Sequence, residues 1–208
     1  MSDGLGKAYA ARASEDLAQT YAGWANDYDR ELLSLGYCLP FIVAGFIARH
    51  VKPSDGALLD AGCGTGLSGP ILAALGYHEL EGLDMSPEMI AHAAARGCYG
   101  ALTQAMLGKT LPYEDGRFAC VFSTGTFTDG HAPAASLDEL CRITRAGGHV
   151  IFTVRQSILE TGGFADKMRA LGAAGCWSEA ETSAPFRSYA LAHPDIFVRA
   201  YVFRRAAG

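Results

Sequence analysis

The apolar positions near the start of the chain recur at three- and four-residue steps, the spacing of one helical face. Leu17, Tyr21, Trp24 and Tyr28 fall on that stripe, and the pattern predicts helix over residues 14–50 with a break at Gly36. Pro40 opens a second apolar segment, 41–47, and the turn cluster Lys52-Pro53-Ser54-Asp55-Gly56 closes the region. From Ala57 the period changes. Short apolar runs predict strands at 57–60, 80–84, 100–102, 118–123 and 149–154, alternating with helices at 70–75, from Ser86 to Gly97, and at 137–144. Ser86-Pro87-Glu88 supplies an N-cap, a proline in the first turn and an acid behind it. Ala146-Gly147-Gly148 reads as a turn ahead of the fifth strand. The tail predicts a short helix at 164–171, then strands at 177–181 and 197–204 with no helix between them. This order predicts an α/β, doubly wound, mostly parallel seven-stranded sheet with an antiparallel edge pair. Residues 1–50 are expected as an N-terminal helical cap of the same domain and 51–208 as its core.

Composition narrows the partners. Of 208 residues, 50% are hydrophobic and 19% charged, which excludes a disordered chain and supplies one sizeable core. Seventeen basic against 22 acidic residues give a net charge of −5, so the expectation is no nucleic acid partner. No apolar run approaches the ~20 residues of a membrane span, and the first residues lack the apolar core of a signal peptide. A soluble, cytoplasmic monomer or homodimer with no membrane partner is expected. Six scattered cysteines form no Cys-x-x-Cys pair, so they are expected as reduced, buried thiols with no metal site.

The most informative stretch is Leu59-Asp60-Ala61-Gly62-Cys63-Gly64-Thr65-Gly66. Alternate glycines let a backbone turn sharply and approach a ligand where a Cβ would clash, and the helix behind them offers free N–H groups. Asp84 ends the next strand, where a carboxylate can accept ribose hydroxyls. A nucleoside cofactor follows, but two remain open. Gly64-Thr65-Gly66-Leu67-Ser68-Gly69 also fits the dinucleotide pattern, which would make a nicotinamide-dependent oxidoreductase. Against it, Asp60 puts an acid at the loop mouth that repels a pyrophosphate and suits the ammonium of S-adenosylmethionine. The antiparallel tail is likewise foreign to a dinucleotide fold.

The chain resembles the class I S-adenosylmethionine-dependent methyltransferases, with their Rossmann-like fold. The loop above resembles that family's first motif, Leu83-Asp84-Met85-Ser86-Pro87-Glu88-Met89 its second, and Arg145-Ala146-Gly147-Gly148-His149-Val150 the approach to its fifth strand. Tyr21-x-x-Trp24-Ala25-x-x-Tyr28-Asp29 and Ser123-x-Gly125-x-Phe127-Thr128-x-Gly130-His131 are similar to the methyltransferase-like proteins of the Williams–Beuren region. The resemblance implies S-adenosyl-L-methionine as cofactor, S-adenosyl-L-homocysteine as product, and no metal. It sets Gly62, Cys63 and Gly64 against the methionine moiety and Asp60 facing its amino group. Asp84 would take the ribose, Met85 the adenine face, and Ser123 would complete the set. Two departures stand out: Met106 occupies a position where the family often has an Asp, leaving the Leu107 N–H to serve the adenine ring, and Ala119 replaces another frequent Asp.

Methyl transfer is an in-line displacement at an already activated carbon, so alignment and exclusion of water are the main catalytic tasks. A base is needed only when the acceptor arrives protonated. His131, just past the fourth strand, is the candidate catalytic residue, either as base or as a residue lining the pocket. Phe127, Thr128 and Tyr113 are candidate acceptor-lining residues, though core packing accounts for Tyr113 and Phe127 equally well. The aromatic stripe Tyr21, Trp24 and Tyr28 serves equally as a packed helix or as a lid over the cofactor. The expected acceptor is a small molecule. A non-catalytic S-adenosylmethionine-binding protein is the remaining alternative.

Overall fold

A computed structural model describes residues 27–207. Eight strands form one sheet in the order β3-β2-β1-β4-β5-β8-β6, with β7 paired to β8 beside β6. The parallel half comprises β1 (Leu58–Ala61), β2 (Leu80–Asp84), β3 (Ala101–Gln104), β4 (Phe118–Phe127) and β5 (Thr144–Arg155). β6 (Trp177–Thr182), β7 (Phe186–Arg187) and β8 (Phe197–Arg205) are antiparallel. β8 lies between β5 and β6, so the last strand of the chain pairs inside the one before it. The expected count of seven misses β7, whose two residues are too short to carry a period. The order of winding reverses between the parallel strands β1 and β4, and ligands of open α/β sheets bind outside the carboxyl ends of the strands at such a point.

Helices cover both faces. α1 is described over residues 27–34; α2 is Leu39–His50, α3 Ser68–Ala74, α4 Pro87–Ala95, α5 Ser136–Ile143 and α6 Phe164–Ala173. The central strands are buried on both sides and therefore read as continuous apolar runs rather than alternating ones. In β5, Val150 and Phe152 face α5 and α6, where Leu137, Leu140, Phe164 and Met168 complete one core. Ile151, between them, faces α2 and α3, where Val43, Ile47 and Leu72 build the other. α2 is thus part of a core layer. Ser86 caps α4 as the sequence predicts: its Oγ accepts the Met89 N–H at 3.2 Å.

Two strands outrun their predicted lengths. β5 begins at Thr144 and carries Gly147, at φ +72°, inside the strand where a turn is expected. β4 continues past Ser123 to Phe127 through an irregularity in its pairing with β5. The pairing slips by two residues there, from Ser123–Phe152 to Phe127–Val154, so the alternation of faces along β4 is kept. All six cysteines are free thiols. Among the described residues no helix is long and apolar enough to cross a membrane.

Candidate active site

The glycine loop leaves β1 and is pinned at once to the neighbouring strand, with the Gly62 and Cys63 N–H groups donating to Leu83 O at 2.8 and 2.9 Å. Gly62 has φ +82°, and a Cβ there would meet Thr126 Oγ1 at 2.6 Å, so only glycine passes beneath β4 at this point. Two residues on, the Gly64 N–H donates to Asp84 Oδ2 at 2.8 Å, and the Ser86 N–H donates to Oδ1 at 3.0 Å. Burial raises the Asp84 carboxyl above the usual range, while these N–H groups pull it back down. The Met85 N–H adds a third such bond, and the carboxylate keeps lone-pair capacity for a further donor.

A cleft of about 310 Å³ opens where the loop, β2 and β4 end. Met85, Met89, Met106 and Leu107 line one part of it, Thr124, Thr126 and His131 another, and Tyr28 of α1 reaches it as well. The His131 Nδ1 lies 2.9 Å from both the Asp129 carbonyl oxygen and Thr128 Oγ1. A carbonyl only accepts, so Nδ1 carries the proton and Nε2 is the basic nitrogen of the neutral ring. Burial lowers the imidazole below its ordinary value, opposed by the Asp129 carbonyl. Arg155 and the Ser157 hydroxyl hold the Asp129 carboxylate, each at 2.9 Å, which fixes the turn.

The structure brings together Gly62, Gly64, Asp84, Met85, Met106, Leu107, Tyr28 and His131 from the expected set. It withholds others. Asp60 is 1% exposed and stands behind the loop, its Oδ2 accepting the Tyr99 hydroxyl at 2.9 Å. Its Oδ1 is buried with no hydrogen-bond partner among the described residues, and burial pushes the carboxyl up to about 7. Cys63 is buried, its thiol pushed up by burial. Ser123 is fully buried and donates to Ala61 O at 2.7 Å, joining β4 to β1 rather than facing the cleft. Phe127 belongs to the core against Phe152 and Phe164, and Tyr113 packs edge-on to Phe118. Thr128 supports His131. Tyr21 and Trp24 lie outside the described residues.

Sequence reasoning missed Met89, Lys109, Thr124 and Thr126 in the cleft wall, and it missed Tyr99. The Tyr99 ring fills the space that side chains at Gly66 and Gly69 would occupy, at 2.8 and 2.9 Å from their ideal Cβ positions. Gly66 and Gly69, two of the three glycines of the apparent dinucleotide signature, are therefore packing glycines. The usable signal was Met89, which falls three residues after the Ser86 cap. Nothing local marks the others.

A family model described as a methyltransferase domain matches residues 59–152. Methyltransferase-like protein 27 from Homo sapiens is 37% identical over 152 residues, covering 70% of this chain and 62% of that protein. Residues 59–152 form a methyltransferase domain of the class I S-adenosylmethionine-dependent type. The fold of the chain agrees with that of a methyltransferase held in complex with the Haloferax volcanii Trm112 methyltransferase activator, with a TM-score of 0.69 at 20% identity, covering 89% of this chain and 97% of the other. The 18S rRNA (guanine(1575)-N(7))-methyltransferase of Saccharomyces cerevisiae is 42% identical over 66 residues, 32% of this chain and 24% of that protein. The chain spans less than two thirds of the length of these curated relatives.

These likenesses correct the expectation of no nucleic acid and no partner beyond a second copy. One relative acts on rRNA, and one structural neighbour is held by an activator protein. Net charge averages over the whole surface, so −5 excludes neither a local contact nor recognition supplied by another subunit. The residues present fit S-adenosylmethionine, the family's cofactor: an open, Cβ-free backbone at Gly64, an anchored carboxylate at Asp84 and an apolar wall of Met85, Met106 and Leu107. Among the described residues no three or more His, Cys, Asp or Glu converge as metal ligands.

Proposed function

We propose that this protein transfers a methyl group from S-adenosylmethionine to a small acceptor that enters beside His131. The observation that carries this reading is the Asp84 carboxylate tied to the Gly64 N–H in the same cleft as the His131 ring. Bound there, the cofactor supplies a methyl group activated on a sulfonium. Gly62 and Gly64 let the backbone meet its methionine part, Asp84 accepts the ribose hydroxyls, and Met85, Met106 and Leu107 flank the adenine. Tyr28 closes the cleft and excludes water. His131, neutral and protonated on Nδ1, takes the acceptor's proton at Nε2 as the new bond forms.

The acceptor end is small. The cleft, about 310 Å³, is at the small end for a ligand site, so beside the cofactor only a small molecule or the reacting end of a larger one comes near the His131 ring. The test is calorimetry with S-adenosylhomocysteine against NAD, followed by an acceptor panel scored by S-adenosylhomocysteine release. That panel includes small hydroxyl, amine and carboxylate compounds, and guanine-bearing rRNA with and without a Trm112-type activator. Micromolar NAD binding with no uptake of S-adenosylhomocysteine would overturn the cofactor. Uptake without turnover of any acceptor would leave a binding protein.

A further inference from the structure

Asp29 joins three elements at one point. It follows Tyr28 in α1, and Tyr28 is where that helix reaches the cleft. Its Oδ1 accepts the Thr65 hydroxyl at 2.5 Å, and its Oδ2 pairs with the Arg96 guanidinium. Arg96, the C-cap of α4, also donates from Nε to the Thr65 carbonyl at 2.5 Å, which closes the circuit. Thr65, within the glycine loop, is fully buried at 1% exposure. The side chains of Arg96 and Asp29 are 23% and 34% exposed, so solvent weakens this ion pair less than one at the open surface. The apolar support of α1 is modest: Leu32 and Tyr28 belong to a small cluster with Leu67 and Tyr189, apart from the two main cores.

We propose that Asp29 is a positioning residue: clamped by Thr65 and Arg96, it holds Tyr28 against the cleft and sets how slowly the cofactor leaves. The proposal rests on the cofactor reading above. A ligand seated on the glycine loop leaves past Tyr28, and moving Tyr28 requires breaking the Asp29 contacts. Weakening them therefore raises the dissociation rate and leaves association nearly unchanged. The same contacts tie the loop to the helix, so a loop drawn in by ligand draws Tyr28 with it.

The test is the dissociation rate of labelled S-adenosylhomocysteine, measured by chase with unlabelled ligand, in Asp29→Asn, Arg96→Gln, Thr65→Val and Tyr28→Ala. Asp29→Asn is expected to speed release about tenfold. Added in the Tyr28→Ala background it should change the rate little further, because both act through one contact. Rising salt should speed release from the wild type but not from Asp29→Asn. Thr65→Val keeps the ion pair and loses one tie, so it should release ligand at an intermediate rate. An unaltered rate in Asp29→Asn, or effects of Asp29→Asn and Tyr28→Ala that simply multiply, overturns the positioning role. A wild-type protein that takes up no S-adenosylhomocysteine overturns the cofactor reading itself.

Discussion

The backbone N–H of Gly64 donates to the carboxylate of Asp84 at 2.8 Å, across 20 residues of chain. That bond makes the glycine loop and the end of β2 a single device. Whatever the carboxylate binds is felt by the loop, and the loop's conformation aims the carboxylate.

Replacing Asp84 with alanine therefore removes both an acceptor for the ribose and a tether of the loop. S-adenosylhomocysteine affinity is expected to fall about ten- to a hundredfold. Asp84→Asn keeps one acceptor oxygen for the Gly64 N–H and should fall less. Calorimetry on the folded variants checks both, and equal affinity in Asp84→Ala would falsify the pose.

His131→Ala separates two kinds of acceptor. For a protonated acceptor, kcat should drop by ~100-fold with cofactor affinity unchanged. Burial lowers the imidazole below its ordinary 6.5, and a base must be neutral. The wild-type rate should then be flat at and above neutral pH and fall only at acidic pH, below the ordinary histidine range. An undiminished His131→Ala rate together with no acidic limb assigns His131 to the cleft wall.

Asp60 makes stability depend on pH in an unusual direction. Its folded value, about 7, lies above the 3.8 of an unperturbed carboxyl. Between these values the folded protein binds more protons than the unfolded chain, so stability falls as pH rises through that window and levels off above it. The full effect is a few kcal/mol at most, on the order of 1.4 kcal/mol per pH unit of separation. Asp60→Asn keeps an acceptor for the Tyr99 hydroxyl and should flatten this dependence in urea unfolding followed from pH 5 to 8. A slope identical to wild type would place the titrating group elsewhere.

Gly62→Ala meets two obstacles, a φ of +82° and contact with Thr126. It is expected to destabilise the fold by about 1–3 kcal/mol. Adding Thr126→Ala relieves the contact but not the backbone strain, so the double variant should recover only part of the loss. Thermal unfolding of the three proteins decides it, and full recovery would assign the whole effect to the contact.

The sequence by itself determined the parallel half of the sheet, the glycine loop and its meeting with Asp84. These rest on local periods and on one connection, since a strand-helix-strand unit brings its loop beside the end of the next strand wherever it occurs. The cap at Ser86 and the cleft position of Met85 follow from the same short-range logic. What only the tertiary structure decided are contacts whose partners come from distant elements or that lie where a strand outruns its apolar run. Ser123 faces inward and Thr124 and Thr126 line the cleft because β4 continues through Gly125, past its apolar run, and keeps its alternation of faces while its pairing with β5 slips by two residues, from Ser123–Phe152 to Phe127–Val154. The same alternation buries Phe127 among Phe152 and Phe164. Asp60 lies behind the loop because Tyr99, 39 residues on, fills the room left by two glycines and captures its carboxylate. The His131 tautomer is fixed by a backbone carbonyl, a group every residue carries and no sequence pattern marks.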